Sequence, residues 1–153
     1  MKKSQLKTSL AHLPARKQEE LKIIEEIILK HVPAEMIILF GSYARGDWVE
    51  DAYQEDGTTY EYISDFDILV VSKKEIDPMD RRWRAIEAII ARRPLLTKAA
   101  IINHDISFLN EKIRHNYYFF VDIVVRHDVS RCKYSHSEMG SRLYPIANQA
   151  VQR

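Results

Sequence analysis

Two short apolar runs limit what this chain can fold into. One is Met36-Ile37-Ile38-Leu39-Phe40, closed by Gly41-Ser42; the other is Ile68-Leu69-Val70-Val71, opened by Asp65-Phe66-Asp67. Runs this short, unbroken and bounded by breakers or charges read as strands buried on both faces. A sheet covered on both faces needs helices above and below it.

Helix signals lie on either side of the two runs. Pro14 suits a first helical turn, and Leu21, Ile24, Ile27 and Ile28 recur at helical spacing until Pro33 stops the pattern. A second helix follows Asp77-Pro78, with Trp83, Ile86, Ile89 and Ile90 on one face and Pro94 at its end. Residues 95–103 read as a third strand. Residues 106–114 read as a helix, with Ile106, Leu109 and Ile113 in phase and Asp105 able to cap it. Residues 117–125 are almost continuously apolar around Asp122, and periodicity leaves strand and helix both open there.

Residues 48–63 carry Trp48, Tyr53, Tyr60 and Tyr62 around Asp56-Gly57, a turn pair between β-formers, which predicts an exposed hairpin or long loop. The expected fold class is α/β in the broad sense, or α+β: a small mixed sheet flanked by helices, with an inserted hairpin. Residues 1–125 make up the expected domain. Residues 126–153 lose the pattern and read as a C-terminal tail, with residues 145–151 as a weak helix candidate.

Bulk properties narrow the function classes. A chain of 153 residues suffices for one domain with its own core. Twenty-three basic against 22 acidic residues argues against a protein that coats nucleic acid by bulk charge. Cys132 is the only cysteine, so no internal disulfide is available. No apolar stretch is long enough to span a bilayer, and Met1-Lys2-Lys3 is not followed by a signal-peptide core. A cytoplasmic protein without a membrane partner is the expectation. The six histidines show no metal-ligand spacing.

The chemistry gathers where the two strong strands meet their polar ends. Residues two apart on a strand share a face, so Asp65 and Asp67 project together. Paired carboxylates repel, and a divalent cation relieves that; Mg²⁺ takes oxygen ligands from a few carboxylates and from substrate phosphates. Gly41-Ser42 is the complementary part, since glycine permits close backbone approach and amides at a helix start favour an anion. The Ser42 hydroxyl adds a donor, and Arg45 can neutralise phosphate charge.

Together these residues resemble a known signature. Ile37-Ile38-Leu39-Phe40-Gly41-Ser42-Tyr43-Ala44-Arg45-Gly46-Asp47, followed by Ser64-Asp65-Phe66-Asp67-Ile68-Leu69-Val70, is similar to the signature of the DNA-polymerase-beta-type nucleotidyltransferase superfamily, in its minimal branch of antitoxin and antibiotic-modifying members. The resemblance runs over roughly residues 13–125. It implies transfer of a nucleoside monophosphate from a nucleoside triphosphate, with ATP the expected one, to a hydroxyl on a protein or small molecule. It implies two Mg²⁺ ions on Asp65 and Asp67, phosphate contacts from the Gly41-Ser42 turn, and a separate helical chain of the HEPN type as a candidate partner.

Three departures bear on that reading. The 22 residues from Tyr43 to Ser64 exceed the family's usual gap, which the acidic hairpin explains. The third carboxylate of active members has two candidates, Asp105 and Asp122; without it, a non-catalytic domain binding nucleotide or a partner is the alternative. Nothing after residue 126 resembles a helical HEPN domain.

Overall fold

The computed structural model describes residues 10–126 and 129–132, with side chains described as far as residue 123. The expected tail beyond residue 132, with its helix candidate at 145–151, lies outside the described residues.

The chain opens with helix α1 (Ala15–His31), which starts after Pro14 and hands over to strand β1 (Ala34–Phe40). A four-residue helix α2 (Ser42–Arg45) follows. Strands β2 (Glu50–Glu55) and β3 (Thr58–Ile63) form the expected hairpin. Asp56 (φ 50°) and Gly57 (φ 77°) turn it in the left-handed region, as a tight turn between right-twisted strands requires.

Strand β4 (Phe66–Ser72) leads through helix α3 (Arg81–Arg92) to strand β5 (Ala99–Asp105). Residues 95–98, expected at the start of that strand, lie outside it. Helix α4 (Ile106–Arg114) and helix α5 (Tyr118–Arg126) come next, so the ambiguous segment is helical. Strand β6 (Val129–Cys132) closes the described chain.

The main sheet has the order β5-β4-β1-β6. β1 pairs antiparallel with β4 and with β6, and β4 pairs parallel with β5, which makes the sheet mixed. The recruitment of Val129–Cys132 carries the sheet past the boundary expected at residue 125, and the sequence there gave no strand pattern.

Alternation along β1 and β4 divides the core between the two faces. Ile37, Leu39, Phe66, Ile68 and Val70 pack with Leu21, Ile24, Ile27 and Ile28 of α1 and Ile86 of α3. Met36, Ile38, Leu69 and Val71 pack with Leu109 and Ile113 of α4 and Ile123 of α5. Both strands are therefore apolar at nearly every position, because neither face meets water. Among the described residues, no helix is long and apolar enough to cross a membrane.

Candidate functional site

Antiparallel pairing of β1 with β4 brings the two halves of the sequence motif together. Phe40, the last residue of β1, stands opposite Asp67, the second residue of β4. Gly41 then leaves the strand with φ 76° and ψ −154°, a conformation open to glycine and costly for other residues. The reason for glycine is visible in space as well. A Cβ at Gly41 would lie 2.1 Å from Asp67 Oδ2, so the carboxylate rests against the bare Cα of the turn. The close approach that glycine permits here also admits the side chain of Asp67.

Past Gly41 the chain makes one helical turn. Arg45 N donates to Gly41 O at 3.0 Å, and Gly46 N donates to Ser42 O at 2.9 Å. Gly46 ends the turn in the left-handed region. A helix of four residues has little macrodipole, so its first amides act as individual donors. The turn is anchored from behind by Tyr43, which is fully buried. Its ring stacks on Trp48 at 5.4 Å and tilts against Phe66 at 4.6 Å, and its carbonyl is 2.7 Å from His12 Nε2.

The inserted hairpin returns to its own starting point. Ser64 N donates to Val49 O and Val49 N donates to Ser64 Oγ, each at 2.9 Å. This clasp sets Asp65 beside the turn despite the long gap in sequence. Lys17, buried in α1, is ion-paired with Glu50 at the hairpin root and donates to Thr97 Oγ1. Burial alone would lower the Lys17 ammonium, but its bond to Glu50 and the neighbouring Tyr43 and Glu20 outweigh it and hold the group above the ordinary lysine value.

Ser42, Arg45, Asp47, Val49, Tyr62, Ile63, Ser64, Asp65 and Asp67 line one open cleft of about 460 Å³. The motif residues Ser42, Arg45, Asp65 and Asp67 thus share a cavity, with Gly41 beneath Asp67. Burial and the neighbouring Asp65 charge raise the Asp67 carboxyl above the usual carboxylate range, against a smaller pull from Arg45. Arg45 Nε also donates to Asp47 Oδ2 at 3.2 Å. Asp47, Tyr62 and Ser64 were not singled out as site residues in the sequence. Tyr62 was legible as part of an aromatic hairpin, though not as a wall of the cleft.

The two candidates for a third carboxylate lie elsewhere. β5 runs parallel to β4, so the residue opposite Asp67 is Ala100, while Asp105 stands opposite Ser72. Five residues along a strand is roughly 17 Å, which removes Asp105 from the carboxylate pair. Its side chain instead accepts from Phe108 N at 2.6 Å and caps α4. Asp122 belongs to α5, not to a strand, and does not line the cleft. The flanks of Asp67 on the sheet are Phe40 and Ala100. Among the described residues, no three His, Cys, Asp or Glu side chains are grouped to hold a metal ion.

This donor set fits Mg²⁺ held partly by substrate phosphates. Two adjacent carboxylates, one of them made to resist ionisation by burial and by its neighbour's charge, supply hard oxygen ligands but too few to enclose an ion. Comparison with family models, with curated proteins and with solved structures returned no match for this chain.

Proposed function

We propose that the cleft binds a Mg²⁺–nucleoside triphosphate, ATP in the first instance, and that the chain is a minimal nucleotidyltransferase acting on an acceptor hydroxyl. The observation that carries this reading is the convergence of Gly41-Ser42 and Asp65-x-Asp67 in one cleft, with the Asp67 carboxylate seated on Gly41. A glycine turn facing paired carboxylates suits a phosphate held opposite a cation.

In this reading Asp65 and Asp67 hold the Mg²⁺, whose chemistry is to neutralise phosphate charge. The Ser42 hydroxyl and the amides of the α2 turn orient the phosphate oxygens, and Arg45 adds positive charge at the rim. The acceptor oxygen forms a bond to the α-phosphorus, the bond to the bridging oxygen breaks, and pyrophosphate leaves. Phe40 and Ala100 flank Asp67 on the sheet, so in this reading the acceptor proton is lost to solvent and rate enhancement rests on positioning and charge.

Those same two neighbours favour the second reading, a domain that binds nucleotide without transferring it. Titration calorimetry with ATP, with and without Mg²⁺, tests what both readings share. Mg²⁺-dependent binding lost in Asp65→Ala/Asp67→Ala supports the cleft; heat from neither protein overturns it. Pyrophosphate release in the presence of hydroxyl acceptors then separates the readings, since a binding domain releases none.

A further inference from the structure

We propose that the tyrosine face of the β2–β3 hairpin docks an arginine-rich segment of a partner protein beside the cleft. The hairpin register pairs Asp51 with Tyr62, Tyr53 with Tyr60 and Glu55 with Thr58. Directly opposed residues of an antiparallel pair project to the same side. One face therefore presents Asp51, Tyr53, Glu55, Tyr60 and Tyr62 together.

Three properties of that face select its occupant. First, it is bare: Tyr53 is 53% exposed, Tyr60 45% and Tyr62 62%, a concentration of aromatic surface that calls for a partner. Tyr53 and Tyr60 are already stacked at 5.2 Å, so the platform is formed before anything binds. Second, it is negative. Residues 50–63 hold five carboxylates and no lysine or arginine. Among the described residues, no ion pair involves Asp51, Glu55 or Glu61, whereas Glu50 on the opposite face is taken by Lys17. Third, it is continuous with the cleft, because Tyr62 lines both.

Exposed aromatic faces flanked by carboxylates suit a guanidinium, which stacks on the ring and pairs with the acid at its edge. The same acids repel phosphate, which disfavours a nucleic-acid strand on this face. Lys17 pins the hairpin root through Glu50, so the tyrosine face keeps a fixed relation to the cleft. A segment docked there runs beside the cleft that Tyr62 shares with Asp65 and Asp67. Delivery of a hydroxyl for transfer rests on the nucleotidyltransferase reading, whereas docking does not.

The test uses the full chain and a fluorescein-labelled ten-residue peptide of alternating arginine and serine, read by anisotropy without nucleotide. Saturable binding below about 1 mM is expected, weakened about tenfold by Tyr53→Ala/Tyr60→Ala and by Asp51→Asn/Glu55→Gln. Glu61→Gln, on the opposite face, is expected to leave binding unchanged. These side chains are solvent-exposed, and circular dichroism checks that each variant folds. Absence of binding to the wild type overturns the proposal, as does equal binding of a peptide with glutamine in place of arginine. Tighter binding of an oligothymidylate, or an equal loss in Glu61→Gln, also overturns it. Because the peptide assay omits ATP, its outcome is independent of the calorimetry on the cleft.

Discussion

The Asp67 carboxylate lies against the Cα of Gly41, where a methyl group would come within 2.1 Å of its oxygen. Glycine at this turn thus answers two demands at once, a positive φ and the space that the Asp67 carboxylate occupies. Gly41→Ala is expected to destabilise the protein by roughly 1–3 kcal/mol from backbone strain and to displace Asp67 as well. The two contributions separate in a double-mutant cycle. In an Asp67→Ala background Gly41→Ala should cost less in urea denaturation, because only the backbone strain remains. Equal costs in both backgrounds would show that the carboxylate does not press on the turn.

Asp67 itself should be a stability liability at neutral pH. Burial and the Asp65 charge raise its carboxyl above the ordinary 3.8. A raised folded-state value means the native state holds the proton more tightly than the unfolded chain. The stability this gives is present below 3.8 and is lost as pH rises through the folded value. Asp67→Asn should therefore melt higher than wild type at pH 7 in EDTA, with the difference closing as pH falls below 3.8. Scanning calorimetry across that range checks it; a lower melting point for the variant at pH 7 would contradict the assigned direction. The expected cost of this gain is nucleotide affinity, a trade found where function needs an unfavourable charge.

The two carboxylates and the glycine were legible because strand alternation and breaker residues are local signals. Residues 36–40 and 68–71 announced themselves by composition, and Asp56-Gly57 announced the hairpin turn. What could not be read was register. Whether Asp105 meets Asp67 depends on β5 running parallel to β4 and on which residues face each other, and one chain holds no local signal for that. Ala100 beside Asp67 is the consequence. Asp122 was undecidable for another reason, since a continuous apolar run has no period. β6 went unseen because its pairing with β1 is set by the exposed edge of that strand and not by any pattern within residues 129–132. Lys17 and Glu50 are far apart in sequence and carry no motif, so their ion pair was visible only in three dimensions.

Asp105 supplies a prediction that separates cap from ligand. Its carboxylate accepts from Phe108 N at the start of α4, at the opposite end of β5 from Ala100. Asp105→Ala should cost about 1 kcal/mol, the usual value of an N-cap, and Asp105→Ser should restore most of it. Neither should alter Mg²⁺–ATP affinity by calorimetry. A loss of affinity in the alanine variant that serine does not rescue would return Asp105 to the site.

Lys17 and Glu50 should respond unequally to mutation. Lys17 is buried, whereas the Glu50 side chain is 44% exposed. Removing Glu50 leaves an ammonium away from water with a weaker set of partners; removing Lys17 leaves a carboxylate that water can reach. Glu50→Gln should then cost on the order of 1–3 kcal/mol, the penalty for an under-satisfied buried polar group, and Lys17→Met less. The pH dependence has a sign of its own. Because the Lys17 value is raised in the folded state, its contribution is complete below the ordinary 10.5 and fades as pH climbs through the folded value. Wild type should lose stability on that alkaline limb more steeply than Lys17→Met, which has no ammonium to titrate. Urea melts of both proteins at pH 8 and above pH 10.5 measure the difference. Parallel alkaline limbs would mean that the hairpin root is held by packing of Tyr43 and Trp48 and not by the charge pair.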